Sequence, residues 1–302
     1  MTENFNWFAD NGIFMPMIND TGRNVFYKNA IEQSVQDKVV VDIGTGTGFL
    51  SVLAAKAGAK KVYAIEMDPG RADYAKHVIK QVGLDSVIEV INADFLTTDI
   101  PADIYVSETI GSQIFNENII AISEHARKHG GKFIPGQFEI KVEVYKNHPI
   151  FPIVQTGSDA FEFQPDIEID TKFETLVNDG FQQQHKLENT LYKANCIQKL
   201  FTMLPRFNDL KLEKIYETQP IIVDLNQQVN IDDIRLTIPK AAVAGQEICA
   251  VIFWTAKHEN ISMNVKDTWW GNPSKVILSR CRKDQDIVTW YDHSIIDWRF
   301  SF

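Results

Sequence analysis

In the first half of the chain, short apolar runs alternate with segments in which apolar residues recur at helical spacing. Four short runs are apolar nearly throughout and rich in β-branched residues. They span residues 38–43, 61–66, 86–92 and 102–107. Between them, apolar residues recur at helical spacing, as Ala72, Ala75 and Ile79 do. Strands without a polar face, separated by helices, are typical of a parallel sheet covered on both sides, so we predict a doubly wound α/β domain over residues 20–135.

The pattern changes after Pro135. Residues 137–145 alternate apolar and polar side chains, as a half-buried strand does, and similar alternation recurs up to the C-terminus. We therefore predict two domains, 1–135 and 136–302, the second a mainly antiparallel β-barrel or sandwich. An amphipathic pattern over residues 187–204 predicts one helix inserted into this domain, either an internal cover or a docking arm.

Composition and charge narrow the class of protein. The 302 residues contain 30 Lys and Arg against 40 Asp and Glu, a formal net charge of −10. This acidity argues against nucleic acid as a partner and fits a cationic substrate. The three cysteines are too scattered for a disulfide framework or a zinc site, and we expect no metal. No secretory signal pattern and no apolar run of membrane length is visible, so we expect a cytoplasmic protein without a membrane partner.

A glycine-rich turn follows the first predicted strand. Gly44, Gly46 and Gly48 stand between that strand and a predicted helix. Glycine permits a tight turn and lets a ligand approach the backbone. The spacing is G-x-G-x-G rather than the G-x-G-x-x-G of dinucleotide sites. The turn predicts a nucleotide-like ligand, and the acidic residues near it must decide which one.

Acidic residues end or follow the first three predicted strands. Glu66 is placed to accept the ribose hydroxyls of an adenosine, and Asp94 is placed to accept from an adenine amino group or simply to cap a turn. Asp42, directly before the glycine turn, would repel a pyrophosphate but attract an ammonium group. S-adenosylmethionine carries an ammonium group and no phosphate, so these acids favour it over a dinucleotide.

On these residues the sequence resembles the protein arginine methyltransferases, members of the seven-strand class I S-adenosylmethionine-dependent methyltransferases. The resemblance covers roughly residues 4–140 and is best over Asp37–Glu66. It implies a Rossmann-like seven-strand domain followed by a β-barrel, with S-adenosylmethionine as cofactor and S-adenosylhomocysteine as product. It also implies that Arg23 binds the methionine carboxylate and that Met17 packs near the sulfonium. Three neighbours of the motif residues are further candidates for cofactor contact: Thr45, Met67 and Phe95.

The segment from Ser107 to Ile120 is similar to the double-glutamate loop of that family. The resemblance implies that Glu108 and Glu117 grip the guanidinium of arginine as the catalytic pair, and that Glu108 also borders the cofactor. Trp269 stands where the family has the His of a Thr-His-Trp loop, and could stack on the cation or fill the barrel core. The two tyrosines of the family's N-terminal motif would fall on Asn4 and Phe8.

Four functions follow from these observations. The first is an N-methyltransferase acting on arginine in a protein, in a peptide or as the free amino acid. The second is a small-molecule methyltransferase on the same scaffold, suggested by the residues that depart from the family. A silent protein that only binds the cofactor and a dinucleotide-dependent oxidoreductase are the others, and Asp42 disfavours the last. The resemblance further implies a homodimer formed through an arm around residues 155–205. The sequence leaves the methyl acceptor and the degree of methylation open.

Overall fold

The computed structural model describes residues 20–110, 114–146, 213–245, 247–268, 275–280, 286–292 and 297–301. The chain divides into two compact units. The described part of the first unit comprises residues 20–108 and 125–134. The second unit holds the described residues of 109–124, 135–146 and 213–301.

Helices and strands alternate from residue 21 to residue 134. They are α1 (Thr21–Ser34), β1 (Val39–Ile43), α2 (Phe49–Lys56), β2 (Lys61–Glu66), α3 (Pro69–Gln81), β3 (Ile88–Asn92), a 3₁₀ turn (Phe95–Thr97), β4 (Ile104–Ser107), α4 (Ile119–Arg127) and β5 (Lys132–Ile134). The five strands form one parallel sheet in the order β3-β2-β1-β4-β5. Each of the four predicted apolar runs contains one of these strands, and the predicted α/β class is confirmed.

The strand order brings three chain segments to one edge of the sheet. β1 pairs with β2 on one side and with β4 on the other, and Ile43 lies opposite both Ile65 and Ser107. The segments that follow these residues therefore leave the sheet side by side at its carboxyl edge. The order reverses at β1, and such a switch point is where open α/β sheets bind ligands.

Helix α1 begins at a capped turn. The side chain of Asp20 accepts a hydrogen bond from the backbone N–H of Arg23 at 3.1 Å, which satisfies a donor that the first turn leaves unpaired. Arg23, Tyr27 and Ile31 are spaced four residues apart and are all buried. One face of α1 therefore carries a charged side chain into the interior of the first unit.

The second unit is built of antiparallel strands. They are β6 (Gln137–Lys146), β7 (Glu213–Glu217), β8 (Ile221–Asp224), β9 (Arg235–Ile238), β10 (Glu247–His258), β11 (Ile261–Asn264), β12 (Lys275–Arg280), β13 (Ile287–Asp292) and β14 (Asp297–Ser301), with a short helix α5 (Lys240–Val243) and 3₁₀ turns at Ile231–Asp233 and Val265–Asp267. β6 and β10 are the centre of a six-stranded sheet, and β14, β13 and β9 form a second sheet of three strands. The predicted antiparallel character of this half is confirmed.

The described parallel sheet has five strands, where the resemblance implied seven. The strand after β5 does not join it: β6 pairs with β10, β7 and β8 in the antiparallel sheet of the second unit. The predicted helix over 187–204 and the predicted arm around 155–205 lie outside the described residues. Within the described ranges, no helix has the length and apolarity needed to cross a bilayer.

Candidate functional site

The glycine turn after β1 has a backbone that other residues rarely adopt. Gly44, Gly46 and Gly48 have φ of 72°, 55° and 84°, all in the left-handed region that glycine enters without strain. The backbone N–H groups of Gly44 and Thr45 donate to the carbonyl of Ile65, at 2.9 and 3.0 Å. The turn is therefore tied to the end of β2 and presents a backbone with few side chains.

Glu66, the last residue of β2, is bound to this turn. Its Oε2 accepts from the N–H of Gly46 and its Oε1 from the N–H of Asp68, both at 3.0 Å. Asn92, at the end of β3, donates from its amide to the carbonyl of Glu66 at 2.8 Å. Because a carboxylate oxygen can accept more than one hydrogen bond, the buried Glu66 can still accept from a ligand hydroxyl.

Asp42 is buried directly before the turn, with 1% of its surface exposed. Its Oδ2 accepts from the hydroxyls of Thr45 and Ser51, each at 2.6 Å. Its Oδ1 has no hydrogen-bond partner among the described residues. Burial raises the pKa of Asp42, although the two hydroxyls oppose the rise. A buried oxygen that lacks a donor is costly, so this site fits a ligand that brings a hydrogen-bond donor with positive charge.

Arg23 reaches the same edge of the sheet from α1. Its Nη2 lies 3.0 Å from Oε2 of Glu108, and its Nη1 donates to the side chain of Asn24 at 3.1 Å. Its Nε finds no acceptor in the described part of the chain. Burial opposes the charge, but the Glu108 carboxylate outweighs it and the pKa of Arg23 is above its usual value. The guanidinium therefore stays charged and keeps an N–H that a ligand carboxylate could accept.

The two candidate catalytic glutamates differ in their surroundings. Glu108 directly follows β4, and its side chain is 10% exposed in the ion pair with Arg23. Glu117 is exposed and belongs to the second unit, in the segment between Phe115 and α4. The structure thus brings Glu108 together with Arg23 and describes Glu117 within the other unit.

The chain is similar in sequence to known methyltransferases. The family model for ribosomal protein L11 methyltransferase (PrmA) matches residues 28–141. The chain is 36% identical over 148 residues to protein arginine N-methyltransferase 8-B of Danio rerio, covering 46% of this chain and 35% of that protein. It is 37% identical over 120 residues to an arginine N(omega)-methyltransferase of Streptomyces achromogenes subsp. streptozoticus, covering 37% of this chain and 33% of that one. Over the matched residues this chain is therefore similar to arginine methyltransferases.

The likeness to a solved structure extends over most of the chain. The structure of the Trypanosoma brucei PRMT1 enzyme-prozyme heterotetrameric complex with AdoHcy has a TM-score of 0.58 and 21% identity, with 92% of this chain and 86% of that chain covered. The fold of the protein arginine methyltransferases, an α/β unit and an antiparallel β unit, is thus shared. The chain spans only about a third of the length of the curated relatives named above.

The remaining site predictions have different outcomes in the structure. Asp94 is exposed and caps the 3₁₀ turn, accepting from the N–H of Leu96 at 3.0 Å. Phe95 is buried edge-on against the ring of His125, with the centroids 5.0 Å apart, so its observed contacts are those of a core residue. Met67 is 71% exposed directly after Glu66. Met17 and Trp269 lie outside the described residues.

Sequence reasoning missed three side chains that contact the candidate site residues. Ser51 could have been found, because it is a lone polar residue within the apolar stretch of α2. Tyr27 could have been found as well, since it lies one helical turn from Arg23 on the same face. Asn24 gave no signal, because its role depends only on where the Arg23 guanidinium lies.

Proposed function

We propose that this chain is an S-adenosylmethionine-dependent N-methyltransferase that acts on the guanidinium of arginine, in a protein, in a peptide or as the free amino acid. The observation that carries the proposal is the buried Arg23–Glu108 ion pair beside the glycine turn, at the carboxyl edge of the parallel sheet. The names of the Danio and Streptomyces relatives, both arginine methyltransferases, support the choice of acceptor.

The residues at the carboxyl edge fit each charged part of this cofactor. The unpartnered Oδ1 of Asp42 would accept from the ammonium group, whose charge would in turn lower the pKa of Asp42. The free N–H at Nε of Arg23 would donate to the carboxylate, and Glu66 would accept from the ribose hydroxyls. Asp94 would accept from the adenine amino group through the oxygen that does not cap the 3₁₀ turn.

The other predicted contacts complete this proposed cofactor site. The turn formed by Gly44, Gly46 and Gly48 would let the cofactor lie against the backbone. The remaining candidates for contact are Met17, Thr45, Met67 and Phe95. Of these, Thr45 acts through Asp42, to which its hydroxyl donates.

Methyl transfer to a guanidinium defines the roles that we propose for Glu108 and Glu117. When bound, the cofactor would supply an electrophilic methyl group from its sulfonium to an acceptor nitrogen, which would lose a proton, and the sulfur would leave as the thioether of S-adenosylhomocysteine. A guanidinium is a poor nucleophile because it is protonated and its lone pairs are delocalised. Glu117 would hold the N–H fork and Glu108 would orient the reacting nitrogen, and such positioning can lower a barrier by roughly 7–11 kcal/mol in favourable cases. Trp269 would contact the substrate cation.

A small cationic molecule other than arginine is the second candidate substrate. The observation that favours it is the set of departures from the family pattern: Asn4 and Phe8 replace two tyrosines, and Trp269 replaces a histidine. None of these residues belongs to the proposed cofactor site, so the same cofactor chemistry would serve either acceptor.

We also propose a cytoplasmic homodimer with two domains, residues 1–135 and 136–302, and with the segment around 155–205 as the dimer arm. Support for assembly comes from the Trypanosoma brucei neighbour, which is a heterotetrameric complex. Sedimentation velocity at micromolar concentration tests the dimer, and deletion of residues 155–205 should yield a monomer. A wild-type monomer at that concentration would contradict it.

An acceptor screen tests the proposed activity. The purified chain is incubated with methyl-labelled cofactor and with arginine-containing peptides, free arginine, amines and phenols, and the products are hydrolysed and identified. We expect labelled methylarginine. Glu108→Gln and Glu117→Gln should each lower turnover by about a hundredfold or more, because each removes a charged partner of the guanidinium.

Glu89→Gln is the matched control for these variants. Glu89 is an exposed glutamate of β3 that pairs with Lys61 at 3.0 Å, so its loss should leave turnover unchanged. Label found only on another acceptor would reject arginine as substrate. Unchanged turnover in Glu117→Gln would reject the two-glutamate cradle while leaving the cofactor site intact.

A further inference from the structure

Helix α1 contacts the end of β4 at two points that lie one helical turn apart. The guanidinium of Arg23 pairs with the carboxylate of Glu108 at 3.0 Å. The hydroxyl of Tyr27 donates to the backbone carbonyl of Ser107 at 2.9 Å. Arg23 and Tyr27 are four residues apart and lie on the same face of α1. They therefore bind two successive residues, the backbone of Ser107 and the side chain of Glu108.

The carbonyl of Ser107 lies where the regular pairing of β4 stops. The pairing of β4 with β5 ends at Val106, and its pairing with β1 ends at Ser107. A buried carbonyl at the end of the ladder needs a donor, and the Tyr27 hydroxyl donates to this one. Glu108 follows this peptide directly, so the direction of its side chain depends on how the peptide is held.

Tyr27 is itself held rigidly. Its side chain is fully buried, and its ring meets Phe26 edge-on with centroids 5.2 Å apart. The Arg23 guanidinium lies over the same ring at 5.6 Å. Burial raises the pKa of Tyr27 well above its usual value, so the phenol keeps its proton at any pH in which the enzyme works. The donor is therefore fixed in both place and protonation state.

We propose that Tyr27 is a positioning residue for Glu108, which it orients by binding the carbonyl of Ser107. The inference rests on the proposed function for the meaning of Glu108, but the contact itself is independent of the reaction. A carboxylate that orients the reacting nitrogen stabilises the transition state more than the bound substrate. Displacement of Glu108 should therefore lower kcat by a larger factor than it raises KM.

Tyr27→Phe tests this role, because it removes the hydroxyl and keeps the ring under Arg23. We expect kcat for the arginine substrate to fall about tenfold, with KM and the Kd for S-adenosylhomocysteine each changed by less than about twofold. Tyr105→Phe is the matched control. Tyr105 lies on β4 and is as buried as Tyr27. Its hydroxyl donates to the carbonyl of Ile100 and accepts from the N–H of Ala102, each at 2.9 Å. Removal of this hydroxyl should therefore destabilise the fold but leave kcat unchanged.

Crystal structures of the wild type and of Tyr27→Phe supply a readout that needs no activity. We expect the Ser107–Glu108 peptide to turn and Oε2 of Glu108 to move beyond 4 Å from Nη2 of Arg23, the limit of an ion pair. An unmoved Glu108 would overturn the proposal, as would an equal loss of kcat in both tyrosine variants. A wild type without arginine methylation would instead overturn the proposed function, and the two structures would still decide the role of Tyr27.

Discussion

Two buried carboxylates, one in each unit, have opposite pKa shifts. Asp42 is 1% exposed and Glu143, on β6, is 2% exposed. Burial raises the pKa of Asp42 above its usual value. For Glu143 the same penalty is outweighed by Lys266, Tyr145 and Lys141, and its pKa falls to about 2. Both side chains are almost inaccessible to solvent, and the two carboxylates differ in that only Glu143 has cationic partners.

Both oxygens of the Glu143 carboxylate have partners within the second unit. Lys266 lies 2.7 Å from one oxygen and Lys141 lies 3.0 Å from the other, while the Tyr145 hydroxyl donates a short hydrogen bond. Lys266 also lies 4.1 Å from the centroid of the Phe253 ring. Asp42 receives two hydroxyls on one oxygen and nothing described on the other. Asp42 thus keeps one oxygen without a hydrogen-bond partner among the described residues, whereas both oxygens of Glu143 have partners.

The largest expected effect of this difference is on stability. Glu143→Gln should lower the free energy of unfolding by about 3 kcal/mol, because it leaves two lysines facing a neutral group. Asp42→Asn should cost about 1 kcal/mol or less, since it removes a charge that burial already disfavours. Denaturant titration measures both. Far-ultraviolet circular dichroism follows the helices of the first unit, and fluorescence of Trp254, Trp290 and Trp298 follows the second unit. Equal losses in the two variants would contradict the comparison.

The second expected effect is an opposite dependence of stability on pH. The pKa of Glu143 is lowered from 4.5 to about 2, so its contribution is present above pH 4.5 and is lost as the pH falls toward 2. The full difference corresponds to about 3 kcal/mol. Asp42 has a raised pKa, so its contribution is present below its usual value of 3.8 and is lost as the pH rises through the folded value.

Acid unfolding curves for the wild type and both variants measure these contributions. Glu143→Gln should flatten the loss of stability between pH 4.5 and pH 2. Asp42→Asn should leave the loss of stability between pH 4.5 and pH 2 in place. It should remove the stabilisation that protonated Asp42 contributes at low pH. An acid slope that persists in Glu143→Gln would mean that another carboxylate dominates it.

The third effect concerns the ligand that Asp42 is proposed to bind. Asp42→Asn should weaken S-adenosylhomocysteine binding by about 10- to 100-fold, because a hydrogen bond between charged groups contributes about 1.5–3 kcal/mol. Calorimetric titration gives the Kd. Asp73→Asn is the control, since Asp73 is an exposed residue of α3 that pairs with Lys76 at 3.2 Å. An unchanged Kd in Asp42→Asn would place the ammonium group elsewhere.

The smallest effect is expected from the hydroxyls around Asp42. Ser51→Ala removes one of the two hydroxyl donors, so the pKa of Asp42 should rise further and S-adenosylhomocysteine affinity should fall about three- to tenfold at neutral pH. A protonated Asp42 no longer attracts an ammonium group. When the pH is lowered, the variant should therefore lose affinity at a higher pH than the wild type does. Calorimetry across pH 5–8 measures the change. Identical pH profiles would show that Ser51 does not influence the charge of Asp42.

Much of the first unit could be predicted from local sequence patterns. The four strand runs, the glycine turn and the positions of Asp42, Glu66 and Asp94 at or after strand ends could be predicted, because each depends on residues a few positions apart. The strand count differed, because the partner of β6 is β10, more than a hundred residues away. Glu143 gave no signal either, since it stands in an alternating strand where its lysine partners come from β6 itself and from the turn after β11.

The amino-acid sequence by itself determined which segments become strands and helices, where the backbone must be glycine and where acids stand at strand ends. These features follow from backbone sterics and from the periodicity of buried side chains, which act over a few residues. Only the tertiary structure decided that Arg23 pairs with Glu108, that Tyr27 holds Ser107, and that one buried carboxylate has a raised pKa and the other a lowered one. Charge in a protein interior depends on the groups within a few ångströms, and the fold selects those groups from anywhere in the chain.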